Sequence, residues 1–548
     1  MKKKAVAAIS FIIAVFMIIL FVRDTGIVKE DEIREFTAFF AVLGEARDED
    51  NEIMEIIAQK TGARCREQWL TGSSADEAIA SYIASGEYPD FISGNVTLYT
   101  ADALIPIDTY WDEYPNIKNY MTPQQWDRFR QPDGHIYWIP QFGVVHGESA
   151  EVIHEGEAFW IQTRVLKWAG YPVIETVDEY FDLLEAYVAA NPVMEDPYHE
   201  GEMMENIPFT VLCDDWRYFC LENPPQFLDG YPNDGSCMVD ADTQTVLDYN
   251  TTDTARRYFE KLNEEYKKGI VDKEFFTQNY EQYLQKLSSG RVLGMVDQWW
   301  QFAYGISDPP VEGCKYVPLP VTMEKGTKNQ WHVKRGTELN MAEGISITVS
   351  CEDVKGAMQF INDLLDEEIM KLRYWGIEGE DYEVHEDGTY YRTVQQRSQS
   401  QDSRYKKSHF CAYSYFPRIE GIYSDGINAF SPEYQPEEFF ETLAPDVKEC
   451  LQMYGCSTYV DMLGTNDLPG PWYPMYSHSD MLTTGSDAGK VWNKIKDVKK
   501  NYLPRVVMSE DFDETWSLYM QQYEACQPEI FFEEMQRELE RRIEAASN

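Results

Sequence analysis

A chain of 548 residues with 43% hydrophobic content is too long for one hydrophobic core and too apolar to be disordered, so two or more lobes are expected. Its formal charge of −46, from 94 acidic against 48 basic residues, repels phosphate backbones and anionic headgroups and argues against nucleic acid as a partner. Lys2, Lys3 and Lys4 then precede an apolar run from Ala5 to Val22, broken by Ser10 and closed by Arg23 and Asp24. Basic flank, apolar core and polar exit describe an export signal that just reaches bilayer-spanning length. No small-x-small pattern closes it. Residues 1–30 are therefore expected to be an uncleaved anchor and spacer that ties the chain to the membrane, with a cleaved signal and secretion as the alternative. Ten cysteines are scattered, and the nearest pairs, Cys213 with Cys220 and Cys450 with Cys456, lack zinc-ligand spacing. Export would permit disulfides, and free buried thiols fit equally well.

Beyond the spacer, Glu35 to Val42 reads as a strand, the stretch around Ile53, Ile56 and Ile57 as a helix stopped at Gly62, and Ala63 to Leu70 as a second strand. Ser74 caps a helix carrying Ala75, Ile79, Tyr82 and Ile83 that stops at Gly86, and "YPDFIS" is a third strand. This alternation predicts a parallel sheet with right-handed crossovers. Farther on, Thr251, Thr252 and Asp253 offer N-cap oxygens to a helix whose Ala255, Tyr258, Phe259, Leu262 and Tyr266 share one face, and Gly269 is its left-handed stop. Gln527 to Ala545 is a charged helix with Phe531, Met535 and Leu539 on one side.

The order of several segments is more specific than any one of them. "SGEYPDFISGN", "ALIPIDTYWDEYPN", "GHIYWIPQFG", "AFWIQTRVLKWAGYPVIETVDEYFDLLEAY", "VLDYNTTDTAR" with "YKKGIVDKEF", "SGRVLGMVDQWW", "KYVPLPV" and "MAEGISITVSCEDVKGAMQFINDLLDEE" follow one another along residues 36–390. In that order the chain resembles extracellular solute-binding proteins of family 1, which serve carbohydrate ABC importers. "YWGIEGEDYEVHEDGTYY" resembles their Gram-positive polysaccharide-binding lipoprotein subgroup. The lipid-attachment cysteine of that subgroup is missing, since the first cysteine is Cys65.

The resemblance implies an α/β, two-lobed periplasmic-binding-protein-like fold of class II. Its parts would be a first lobe over 36–150, a second over 151–335, a return over 336–390, and a mainly helical part over 391–548 packing on the second lobe. The implied function is capture of an oligosaccharide between the lobes outside the membrane and delivery to ABC permease subunits, with no cofactor and no catalysis. A membrane-anchored sugar-binding sensor module and a polysaccharide hydrolase or lyase are the alternatives.

No G-x-S-x-G, H-E-x-x-H, Walker A or G-x-G-x-x-G motif occurs, and S-x-x-K at Ser403 to Lys406 reads as coincidence. His146, Glu148, His154 and Glu155 could ligate a metal, but their spacing matches no dedicated site and a solvated loop or hinge is favoured, so no metal is expected. A sugar instead needs flat aromatic platforms beside planar polar groups. Trp299 and Trp300, read as the end of a strand, are expected to face opposite ways, one toward ligand and one into the core. Asp214, Asp215 and Trp216 follow the apolar run "IPFTVLC", Ser93 and Asn95 close the third strand, and Glu45 follows the first. Ligands of open α/β sheets sit at such carboxyl ends. Trp138 and Trp160, near the crossover, complete the candidate set.

Overall fold

The computed structural model describes residues 33–42, 44–71, 74–306, 311–334 and 339–547. The chain forms two compact units, one of Met1–Ala150 with Gly336–Pro432 and the other of Glu151–Arg335 with Glu433–Asn548. The anchor expected over Ala5 to Val22 lies outside the described residues, and among those described no helix is long and apolar enough to cross a membrane. All ten cysteines are free thiols.

Unit 1 carries a four-stranded sheet in the order Glu343–Ile347, Phe91–Asn95, Arg34–Phe40, Ala63–Trp69. The last three strands are parallel and Glu343–Ile347 is antiparallel to its neighbour. The crossover helices begin and end where the local chemistry requires. The Asn51 side chain accepts from Met54 N at 2.9 Å to open Glu52–Thr61, and Ser74 and Glu77 form a reciprocal capping box for Ala75–Ser85. Aromatic rings fill the core, with Phe91 edge-on to Phe36 at 5.5 Å and to Phe416 at 5.1 Å between centroids.

The return stretch does not end at 390; residues 391–432 belong to unit 1 rather than to the helical part of the second lobe. Their anchor is Arg373, 1% exposed, on the helix Glu367–Tyr374. Its guanidinium donates to the carbonyls of Ala412, Tyr413, Phe416 and Pro417 at 2.8, 3.0, 3.3 and 2.9 Å. The Trp375 indole N–H donates to Ala429 O at 2.9 Å, so an irregular segment is held by its backbone.

Unit 2 carries a second sheet in the order Tyr316–Leu319, Glu157–Gln162, Val292–Gln298, Ile207–Val211. Glu157–Gln162 is antiparallel to both neighbours, while Val292–Gln298 and Ile207–Val211 are parallel. The helix Asp253–Lys268 starts where Thr252 Oγ1 accepts from Ala255 N at 3.1 Å, and it stops at Gly269, whose φ of +79° only glycine adopts cheaply. Ala255, Tyr258, Phe259 and Leu262 are buried along it. Asn263 on the same helix donates to the carbonyls of Val506, Val507 and Ser509 at 3.2, 2.9 and 2.7 Å, which fixes the end of the long helix Asp487–Met508. Lys499 of that helix, with no exposed side-chain surface, meets Tyr249 OH at 2.8 Å and Glu222 Oε2 at 3.1 Å. The last helix, Glu529–Ser547, buries Phe531, Met535 and Leu539 completely.

Candidate ligand-binding site

Because Val292–Gln298 and Ile207–Val211 are parallel neighbours, their carboxyl ends lie at one edge of the unit 2 sheet, where open α/β sheets place ligands. The strand ends at Gln298, and Trp299 and Trp300 open the short helix Trp299–Phe302 instead of closing the strand. Strand alternation therefore does not separate the two rings; a helical step of about 100° does. Trp299 is half-buried, with ring centroids 5.5 Å from Trp160, 5.4 Å from Phe302 and 5.3 Å from Tyr459. Trp300 is 42% exposed, and its indole N–H donates to Gln298 Oε1.

The turn beneath these rings is braced from inside. Asp297 is fully buried and accepts from Tyr283 OH at 2.5 Å, Gln301 Nε2 at 2.7 Å and Gln298 N at 2.7 Å. Burial pushes its carboxyl up to about 7. Trp160, expected near ligand, is fully buried and donates from Nε1 to Asp297 O at 2.8 Å. It sits in the middle of a strand buried on both faces, so its role is to support Trp299 from below. On the neighbouring strand end, Asp214 Oδ2 accepts from Tyr280 N at 3.0 Å, and the Arg217 guanidinium lies 4.1 Å from the Tyr280 ring centroid. Asp215 and Trp216 belong to the turn Asp215–Tyr218, and their side chains lie outside the described ones.

In unit 1 the carboxyl ends of the parallel strands carry Ser93, Asn95 and Glu45. Ser93 is buried, and its hydroxyl accepts from Ala41 N at 3.4 Å, tying two strands together. Asn95 is half-buried and caps the helix Val96–Thr100, accepting from Thr97 N at 3.0 Å and Leu98 N at 3.1 Å. Glu45 is exposed. Trp138 is 3% exposed and donates from Nε1 to Met341 O at 3.2 Å, which makes it a core residue rather than a ligand platform. Sequence reasoning missed Trp69. It ends the edge strand, stands edge-on to Tyr415 at 5.3 Å, and has a buried indole N–H with no partner among the described residues. A Cβ on Gly44 would stand 2.1 Å from the Trp69 ring, so the loop before Glu45 passes only because that position is glycine. A tryptophan closing a short strand was the available signal.

The metal candidates of the sequence divide between the units, with His146 and Glu148 in unit 1 and His154 and Glu155 in unit 2. The His146 ring nitrogen Nε2 meets Tyr120 O at 2.9 Å. His154 is buried between Glu157 O at 2.9 Å and His332 Nδ1 at 3.0 Å, and burial followed by the His332 ring pushes it down to about 3. It is a neutral core histidine. Among the described residues two other groups bring three ligand atoms together, namely Glu52, Glu380 and His409 in unit 1 and Asp196, His199 and Glu202 in unit 2.

No protein-family model matches the chain. It is 26% identical over 323 residues to the fructooligosaccharide ABC transporter substrate-binding protein FusA of Streptococcus pneumoniae, a match covering 55% of each chain. It is 20% identical over 352 residues to the lipoprotein LipO of Bacillus subtilis, covering 62% of this chain and 65% of LipO. The chain thus spans between about half and two thirds of the curated relatives it matches. The structure of a FusA EF-hand mutant in complex with fructo-nystose aligns over 94% of this chain and 100% of FusA, with a TM-score of 0.63 at 18% identity. An extracellular solute-binding protein from Bifidobacterium longum subsp. infantis aligns over 94% and 99%, with a TM-score of 0.61 at 16% identity.

The FusA EF-hand invites a test of the loop starting at Asp196. Gly201, with φ +82°, stands at the sixth position, as an EF-hand loop requires, but the third is Tyr198 and the twelfth is Ile207, where such a loop needs a bidentate glutamate. Ile207 begins a strand, so this loop does not fit an EF-hand calcium site. In sequence and in fold, the chain is a relative of the extracellular substrate-binding proteins of ABC transporters, with their two-unit α/β architecture.

Proposed function

We propose that this chain is the extracytoplasmic substrate-binding component of an ABC importer, held at the outer face of the cell membrane, and that it captures an oligosaccharide and passes it uncut to permease subunits. The observation that carries this reading is the exposed Trp300 ring at a strand carboxyl end, on a turn braced by Trp160, Asp297 and Tyr283. A flat, pre-positioned aromatic is what the apolar face of a pyranose or furanose requires, and a rigid support lowers the entropic cost of binding. FusA, to which both sequence and fold are similar, is described as binding fructooligosaccharides. A net charge of −46 makes a neutral glycan a better fit than a polyanionic one.

Thermal-shift screening of the purified protein against neutral oligosaccharides tests the reading. A ligand at about 100 times its dissociation constant adds about 2.7 kcal/mol of stability, a clear rise in Tm. A panel that produces no shift, or a sugar that is shortened during incubation, would overturn it.

A further inference from the structure

Three stretches of unit 1 far apart in the chain converge on one histidine. Glu52 opens the helix Glu52–Thr61, Glu380 sits in the turn after the helix Glu367–Tyr374, and His409 follows the helix Ser403–Ser408. A carboxylate oxygen of each glutamate and a ring nitrogen of His409 all lie within 4.8 Å of one another. The histidine is 3% exposed, whereas both glutamates reach solvent.

The ring is fixed from behind. His409 Nε2 is 2.8 Å from Asp381 Oδ2, and that buried carboxylate also accepts from Tyr405 OH at 2.9 Å and Ile377 N at 2.8 Å. The Tyr405 ring stacks on the imidazole at 4.4 Å and 21°. A carboxylate only accepts, so Nε2 donates to Asp381 and Nδ1 is the ring nitrogen turned outward. Nδ1 lies 2.9 Å from Glu52 Oε2, an ion pair in which Nδ1 carries a proton when no metal is bound. A divalent cation can displace that proton, and a third oxygen donor, Glu380, is at hand. A carboxylate behind a histidine whose other nitrogen points at further donors is the outer-shell arrangement that orients metal ligands.

We propose that Glu52, Glu380 and His409 Nδ1 bind a first-row divalent cation, Zn²⁺ foremost, with Asp381 as the residue that orients the imidazole. One imidazole and two carboxylates suit Zn²⁺, whereas Ca²⁺ and Mg²⁺ favour oxygen-only sets, and three protein ligands leave a position for water. The backbone is already placed: Ile53 N donates to His409 O at 3.1 Å, and Asn51 Nδ2 donates to the carbonyls of Lys407 and Phe410, each at 3.0 Å. Binding therefore requires little rearrangement, and the cation would staple the segment around His409 to the first helix of the unit.

The test uses the full chain carrying His199→Asn, which disables the other three-ligand group, first stripped with EDTA and then titrated with ZnCl₂. Zn²⁺ should raise Tm by at least about 3 °C, reversibly with EDTA, and bind with a stoichiometry of one in calorimetry. Adding Glu380→Gln should weaken Zn²⁺ binding at least tenfold while leaving the metal-free Tm unchanged, because it leaves the bonds of His409 to Glu52 and Asp381 in place. Adding His409→Asn should abolish binding. If Zn²⁺ produces no shift, or the shift survives Glu380→Gln undiminished, His409 is only an ion-paired clamp and the proposal fails.

Discussion

Replacing Trp300 by alanine should damage ligand binding and little else, while the same change at Trp299 should damage the fold. Trp300 is 42% exposed, so its loss removes ring stacking and the apolar burial beneath a sugar. Stacking and burial together come to about 2–3 kcal/mol. At about 1.4 kcal/mol per decade this is roughly a 30-fold or greater rise in Kd. Trp299 instead packs against Trp160, Phe302 and Tyr459, and its truncation leaves a cavity among three rings. Being half-buried, it should cost about 2–4 kcal/mol, at the lower end of the large-to-small range. Calorimetric titration with the oligosaccharide that gives the largest thermal shift, together with urea unfolding of each variant, reads both quantities. If Trp300→Ala binds as the parent does, the platform is elsewhere, and Trp69 of unit 1 becomes the first place to look.

Lys499→Ala should destabilise unit 2 by about 3 kcal/mol in urea unfolding, because it strands the half-buried Glu222 carboxylate, and adding Glu222→Gln should recover part of the loss. Asp297 has a folded pKa raised to about 7, so the folded state holds a proton that the unfolded state releases, and its contribution to stability falls as pH rises from about 4 to about 7. His154, depressed to about 3, acts oppositely and contributes stability that is gained as pH rises from about 3 to about 6.5. The difference between parent and Asp297→Asn unfolding curves should therefore change with pH across the first window, and a constant difference would contradict the assignment. Thr252→Ala should cost about 1 kcal/mol through the lost cap on Asp253–Lys268, measured by thermal unfolding.

The alternation of strand and helix that opens unit 1 was legible because each boundary has a local chemical mark, Asn51 and Ser74 at helix starts and Gly62 and Gly86 at stops. The helix after Thr252 was legible for the same reason. Residues 391–432 were not, since what holds them is Arg373 bonding to four backbone carbonyls, a long-range arrangement with no periodicity. The Trp299–Trp300 pair was placed at the correct strand end but given the wrong local geometry. Nothing in "DQWWQF" marks Gln298 as the last strand residue; the helix after it is held by Tyr280 OH donating to Gln301 O at 2.5 Å and by Gln301 bonding to Asp297. Trp138 and Trp160 could be ranked only by position along the chain, whereas their burial depends on partners such as Met341 and Asp297, about 140 to 200 residues away.

The proposed function requires this protein to bind an oligosaccharide and leave it intact. Isothermal titration with the best ligand from the thermal-shift panel, followed by mass spectrometry of the recovered sugar, tests both halves in one sample. Saturable binding of one sugar per chain is expected, with the oligosaccharide recovered at its original length. Shortened products, or no saturable binding by any oligosaccharide in the panel, would contradict it.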